Sequence, residues 1–372
     1  FFSWKGERDT IMTPMDSIRY YKHFLQTGLM SMNPQDGHVK AWVGGINYKH
    51  FQYDHVAQGA RQVGSTFKPF VYAAAIEQLH LSPCDSINDA PFSMPKGKYG
   101  IDADWHPQNS NGQFQGVITL KRALAFSVNT ASARLIDKVG PKAVVDLTKN
   151  LGVNSEIPEQ PAIALGAVEI TVSDMVAAYS TFANQGVYIK PTVIQRIEDK
   201  NGVLLDQAKI QTKDVLSKDI AYAVIKLLEG VTESGSGARL KWGGAGGTGY
   251  NRMTGYPYKI INPVAGKTGT TNQSDGWFVG MVPNLATGVW VGNEDRSAHF
   301  KSLIYGQGAT MALPIWGLFM KKCYADDTMV YKISEKPFER PANLSIKVDC
   351  GRAPVKDTTA VDSLNVNMDE FQ

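Results

Sequence analysis

Strand-forming sequence is concentrated toward the two ends of this chain, and that ordering restricts the folds open to it. Two strand-like runs lie at about 29–33 and 39–45, and three more near 263–270, 276–282 and 287–293. The sequence between them is mostly helical in pattern. Helices and sheets must bury an apolar face against another layer. The expected class is therefore α/β (α+β): an antiparallel sheet assembled from both ends, helices on its faces, and a helical lobe inserted at roughly 80–190.

Local signals fill in the elements. Thr13 is a candidate cap for a first helix, with Pro14 at its first position and Asp16 in its first turn. Ile18, Tyr21 and Leu25 form its apolar stripe, and Gly28 is expected to end it. Asn33-Pro34-Gln35-Asp36-Gly37 reads as the turn of a hairpin. A strong helix runs from Ser65 to Leu79, and a loop rich in proline and glycine follows to about 116. Helices are expected at 119–138, 141–151 and 172–185, the last capped by Thr171 and closed by Gly186. Residues 192–206 read as a hairpin turning on Asn201-Gly202, 218–229 as a helix capped by Ser217, and 309–323 as a closing helix. From about 333 the apolar content falls. The expected division is a main domain at 13–325 and a tail or small module at 326–372.

Bulk properties exclude several classes. Apolar residues make up 43% of the 372 residues and charged ones 20%, which suits a sizeable core. A net charge of +3 without a run of five like charges gives no case for nucleic acid. Cys84, Cys323 and Cys350 match no zinc spacing, and an odd count leaves at least one thiol unpaired. One disulfide is compatible with the count, and the spacing does not choose the pair. The seven histidines form no metal pattern, so no metal or cofactor is expected. No apolar run is long enough for a signal peptide or a membrane span. The opening Phe1-Phe2-Ser3-Trp4 lacks an initiator Met and reads as part of a longer protein.

Three short motifs carry chemistry. Ser65-Thr66-Phe67-Lys68 is S-x-x-K, Ser127-Val128-Asn129 is S-x-N, and Lys267-Thr268-Gly269 is K-T-G. Residues three apart on a helix share a face, so Lys68 can serve Ser65. A serine needs a base to become a nucleophile, and a lysine is a base only with a depressed pKa. Ser127 and Asn129 interrupt an apolar helical stretch and need hydrogen-bond partners there. Gly266 and Gly269 let a ligand approach the strand closely, and Lys267 with Thr268 suits a carboxylate.

Each motif has a plain alternative: a capping serine with a solvated lysine, a capped helix junction, or an edge strand bearing a protective lysine. S-x-x-K recurs at Ser93–Lys96 in a proline-broken loop, and S-x-N recurs at Ser31–Asn33 and Ser86–Asn88. A phosphate-binding loop at Gly266-Lys267-Thr268 fails because position 261 is Ile261. Gly244–Gly249 matches G-x-G-x-x-G but lacks a flanking strand and helix, and reads as a loop. Glu169 and Asp174 read as capping charges rather than an acid–base pair.

Taken together, the trio and its order resemble the transpeptidase domain of class A penicillin-binding proteins. The resemblance extends to Gly28–Gly45, to Arg61–Phe70, to Trp105-His106-Pro107-Gln108-Asn109 and Ile118–Thr130, to Leu165–Gly186, and to Lys267–Gly280 with Asp275, Trp277 and Phe278. It implies a five-stranded antiparallel sheet flanked by helices, with an all-helical subdomain. It also implies Ser65 as nucleophile, Lys68 as its base, Ser127 as proton relay, and Asn129 as orienting Lys68 and the substrate amide. Lys267, counted with the catalytic residues, and Thr268 would hold the substrate carboxylate and help to lower the pKa of Lys68. Gly269, Thr270 and Thr271 would also bind substrate, and the N–H groups of Ser65 and Thr270 would form the oxyanion hole.

The implied partners are peptidoglycan stem peptides ending in D-Ala-D-Ala, an acceptor amine, and β-lactams that acylate the same serine. A glycosyltransferase domain and a membrane anchor belong to the family's whole proteins and are not visible here. The implied location is the extracytoplasmic face of a bacterial cytoplasmic membrane. A D,D-carboxypeptidase, a β-lactamase and a β-lactam-sensing domain are the alternatives. Val128 stands where a class A β-lactamase would carry aspartate.

Overall fold

The computed structural model describes residues 1–241 and 254–351, so the Gly244–Gly249 stretch lies outside the described residues. One sheet organises the molecule. Its strands are β1 (Gln26–Met32), β2 (Val39–Val43), β3 (Ala265–Thr271), β4 (Asp275–Val282) and β5 (Leu285–Gly292). They lie in the order β3-β4-β5-β1-β2, and every neighbouring pair is antiparallel. The two ends of the chain meet at the β1–β5 seam, where Gln26 faces Gly292 and Met32 faces Ala286.

The strands alternate between two apolar cores, as a period of two requires. Trp277, Val279 and Met281 of β4 join a core built with helices α2 (Lys68–Leu79), α6 (Val172–Ala183) and α7 (Lys218–Glu233). Phe278 and Val282 face the other way, toward Met311, Leu313 and Trp316 of the last helix, Gly308–Ala325. All residues of β4 and β5 are buried because both faces of the sheet are covered.

Three further helices, α3 (Leu120–Ala125), α4 (Asn129–Val139) and α5 (Pro141–Asn150), form a lobe beside α2 and α7. The chain crosses from sheet to lobe and back, so the groove between them is lined by distant segments. Residues 333–351 run without helix or strand and are tied to the start of α7 and to Cys84. Phe338 and Val348 are buried there, and Ser345 donates to Asp219 through its backbone N–H at 2.8 Å. Cys84 and Cys350 form a disulfide, leaving Cys323 as the free thiol.

Two expectations need correction. The first helix spans only Pro14–Tyr21, and Gly28 lies inside β1. A Cβ at Gly28 would sit 2.9 Å from the His55 carbonyl oxygen, so the glycine marks a close backbone approach, not a helix end. The continuous helix expected at 119–138 is two helices, broken at Ser127, whose φ is +58°.

Candidate active site

The segment Gly64–Phe67 forms a 3₁₀ turn that leads directly into α2. Ser65 is therefore half-buried, one turn ahead of Lys68, whose backbone N–H donates to the Ser65 carbonyl. The α-helix itself starts at Lys68, three residues later than expected. The turn is held from several sides. Gly64 N–H and Val63 N–H donate to the carbonyls of Gly166 and Val168 at 3.2 and 3.0 Å. The Tyr179 hydroxyl donates to Thr66 O at 2.6 Å, and Trp277 Nε1 donates to Gln62 O at 3.0 Å.

Two glycines make this packing attainable. Gly64 has φ +53°, and a Cβ there would lie 2.8 Å from Thr270 O and 3.1 Å from Thr270 N. The Gly64–Phe67 turn thus lies against the backbone of β3, which brings Ser65 and Thr270 to neighbouring positions. A Cβ on Gly166 would come within 1.8 Å of Gly64 O.

The lysine of S-x-x-K is the hub. Lys68 is fully buried, and its Nζ donates to Ser127 O at 2.5 Å, to Asn129 Oδ1 at 2.7 Å and to Ser127 Oγ at 3.2 Å. Lys267 is also fully buried and donates to Ser127 Oγ at 3.0 Å from the sheet side, and to Thr268 O at 3.0 Å. One serine hydroxyl thus stands between two lysine amines. Burial disfavours the charged form of both. Lys68 is held well below the usual lysine range, first by desolvation and then by the positive charge of Lys267. Burial alone pushes Lys267 down to about 7.

Along β3, Thr268 Oγ1 shares a hydrogen bond of 2.6 Å with Ser236 Oγ. Gly269 packs on the nucleophile segment, where a Cβ would lie 2.5 Å from Val63 O. Thr270 Oγ1 accepts from Gly308 N–H at 3.0 Å and keeps its own proton to donate. Thr271 is buried, with its hydroxyl turned to Gln62 O at 3.5 Å. The structure thus brings Lys68, Ser127, Asn129 and Lys267 into one hydrogen-bonded group, with Ser65 and Thr268–Thr271 on the segments beside it. The second S-x-x-K, at Ser93–Lys96, sits in a loop where Lys96 N–H donates to Asp104 at 2.8 Å. Glu169 is paired with Arg296 at 2.7 Å.

Reading the motifs alone misses three contributors. Ser236 N–H donates to Ala125 O at 3.1 Å, so the 235–237 loop links the end of α3 to the Thr268 hydroxyl. Arg61 Nε donates to the fully buried Asp275 at 2.8 Å, and its guanidinium also reaches Asn293 O at 2.6 Å, which ties the nucleophile segment to the sheet. Arg61 and Asp275 both fall in segments that carry the resemblance, but nothing local marks them as a pair.

The pattern of the penicillin binding protein transpeptidase domain matches residues 27–302, and that of the penicillin-binding protein middle domain matches residues 1–25. Penicillin-binding protein 1A of Aquifex aeolicus is 35% identical over 300 residues, covering 80% of this chain and 38% of that protein. Its counterpart in Neisseria gonorrhoeae is 35% identical over 304 residues, covering 80% of this chain and 36% of that protein. The chain therefore spans well under half the length of these relatives.

Among solved structures, penicillin-binding protein 1A from Haemophilus influenzae aligns with a TM-score of 0.69 at 27% identity, over 84% of this chain and 49% of that one. The PonA1 protein from Mycobacterium tuberculosis in complex with penicillin V aligns with a TM-score of 0.66 at 26% identity, over 87% and 85% of the two chains. The transpeptidase pattern spans the whole sheet and the lobe that carry the convergent motifs, and this chain belongs to the penicillin-binding protein transpeptidase family, as a domain of the class A kind.

Proposed function

We propose that the chain is a serine D,D-transpeptidase that cross-links peptidoglycan stem peptides. The observation that carries this reading is the environment of Lys68: a fully buried amine, depressed in pKa, beside Ser127 Oγ and one turn from Ser65. In this reading neutral Lys68 takes the proton of Ser65, whose Oγ attacks the carbonyl carbon between the two terminal D-alanines. Lys68 passes that proton to Ser127 as Ser127 gives its own to the leaving amine, the C–N bond breaks, and D-alanine departs. The acyl ester on Ser65 then passes to an acceptor amine, or to water, and Ser65 regains its proton. The developing oxyanion is stabilised by the N–H groups of Ser65 and Thr270. Lys267, Thr268 and Thr270 hold the terminal carboxylate, Asn129 holds the substrate amide, and Gly269 and Thr271 shape the strand beside it.

β-Lactams would acylate Ser65 in the same way. The PonA1 structure with penicillin V supports that ligand class by likeness. The whole protein is proposed to be membrane-anchored and to act on the extracytoplasmic face. The Cys84–Cys350 disulfide supports an oxidising compartment. Among the described residues no helix is long and apolar enough to cross a membrane. Intact-mass analysis after incubation with penicillin tests the reading. A gain of one whole penicillin, mapped to Ser65 and absent from Ser65→Ala, is expected; labelling of the alanine variant would overturn it.

A further inference from the structure

Helix α4 begins without a cap of its own. Its flanking residue is Val128, which makes no side-chain capping bond. The first N–H groups of a helix have no partner within it and must find one elsewhere. Here they find it in a distant loop. Asn109 Oδ1 accepts from the backbone N–H groups of Asn129 at 2.9 Å and Thr130 at 3.4 Å.

The orientation of that amide is set from its other end. Asn109 Nδ2 donates to Asp89 Oδ1 at 2.7 Å and to Gln113 O at 2.8 Å. Asp89 is fully buried, and its oxygens also accept from Thr130 Oγ1 at 2.5 Å and from Gln115 N–H at 2.8 Å. Donor and acceptor roles are forced along this chain. Three donors converge on Asp89, so Asn109 must turn its nitrogen to Asp89 and its oxygen to α4.

The helix start held in this way is the S-x-N turn. Asn129 donates its backbone N–H to Asn109 and its Nδ2 to Gln108 O at 2.7 Å, and its Oδ1 accepts from Lys68 Nζ. Ser127, two residues earlier, has a positive φ and presents both its carbonyl and its hydroxyl to Lys68. A residue in that conformation persists only where its surroundings over-determine it. We propose that Asp89 and Asn109 are positioning residues, which fix the start of α4 and thereby hold Ser127 and Asn129 against Lys68. The inference rests on the reading of Lys68 as the base.

The test uses the penicillin acylation rate of Ser65 as a function of pH, with thermal melting alongside. N109D keeps the side-chain size but sets an acceptor against Asp89. D89N/N109D restores a donor opposite an acceptor. N109D is expected to acylate about a hundredfold more slowly, the loss typical of a reacting group displaced by about 1 Å. Its acid limb is expected to move to lower pH, because Lys68 loses an acceptor that favours its ammonium form. The double variant is expected to recover most of the rate and the position of the limb.

If N109D does not fold, D89N gives the same readout with a smaller loss in the same direction. Wild-type rate in folded N109D, or a slower rate with an unmoved acid limb, would overturn the proposal and leave Asn109 a purely structural cap. Wild-type protein that fails to acylate at all would instead overturn the transpeptidase reading.

Discussion

Lys68 Nζ lies 2.5 Å from the backbone carbonyl oxygen of Ser127, a residue with φ of +58°. That backbone conformation costs an L-residue roughly 1–3 kcal/mol. It turns the carbonyl and the hydroxyl of one residue toward the same amine. Ser127→Gly relieves the strain and Ser127→Ala keeps it, while both remove the hydroxyl. The glycine variant is expected to melt above the alanine variant. Both are expected to lose about 100-fold or more in acylation rate, the usual scale of a lost proton-transfer group. A Ser127→Ala protein that acylates at the wild-type rate would remove Ser127 from the proton path.

The two buried lysines predict a bell-shaped pH profile. Acylation should rise with pH as Lys68 loses its proton, from well below the usual lysine range. It should fall as Lys267, pushed down to about 7, loses the charge proposed to hold the carboxylate. Arginine keeps its charge at any accessible pH. Lys267→Arg is therefore expected to abolish the alkaline limb while lowering the maximum. Second-order acylation rates between pH 5 and 10 would show this; an alkaline limb at the same pH in the variant would assign it to another group.

Stability should depend on pH through the same groups. A lysine with a depressed folded pKa binds its proton less readily in the folded state than in the unfolded one. Between about 7, the folded value of Lys267, and about 10.4, the unfolded value, the unfolded chain holds the extra proton. Stability from Lys267 therefore rises with pH across that window, by about 1.4 kcal/mol per unit, and is smallest below it. Lys267→Met is expected to melt higher than wild type at pH 7 and to show a shallower rise to pH 9. Denaturant midpoints at the two pH values measure the slope. An equal slope in both proteins would contradict this origin.

Gly166 and Gly97 share a positive φ, +82° and +84°, but differ in their surroundings. Nothing lies within 4 Å of a Cβ at Gly97, whereas a Cβ at Gly166 would meet Gly64 O at 1.8 Å. Gly97→Ala should cost about 1 kcal/mol from backbone strain alone. Gly166→Ala should cost several times more and should slow acylation, because the displaced atom belongs to the nucleophile turn. Matching effects on melting and acylation in the two variants would deny that contact its role.

The Cys84–Cys350 bond closes a loop over a sequence separation of 266 residues. Its reduction, or Cys350→Ser, is expected to destabilise the domain by about 2–5 kcal/mol. Cys323 is outside the bond, and Cys323→Ser should change stability by no more than about 0.5 kcal/mol. Melting with and without reductant separates the two cases, and an unchanged melting temperature on reduction would count against the clamp.

Much of this was legible in the sequence, for local reasons. The sheet strands fall within a few residues of their expected bounds because turn residues and glycines punctuate the sequence between them. The three motifs are visible because each is contiguous. The break at Ser127 is not, since its stability comes from Lys68 and from α4, which local pattern does not encode. Gly28 misleads because a glycine can end a helix or admit a neighbouring backbone, and only the position of His55 decides. Arg61 and Asp275 lie 214 residues apart, and Ser236 and Thr268 lie 32 apart. Such pairs exist only once the sheet has closed.

The β1–β5 seam bears on when the site comes into being. β1 is synthesised more than 250 residues ahead of β5 and must wait for it before it gains that partner. Lys68 likewise waits for Lys267. Pairings this distant in sequence form slowly. A nascent or half-folded chain therefore holds Ser65 without the groups that would make it reactive. Covalent labelling by penicillin should then count finished molecules only, so that the antibiotic can serve as a clock for the last step of folding.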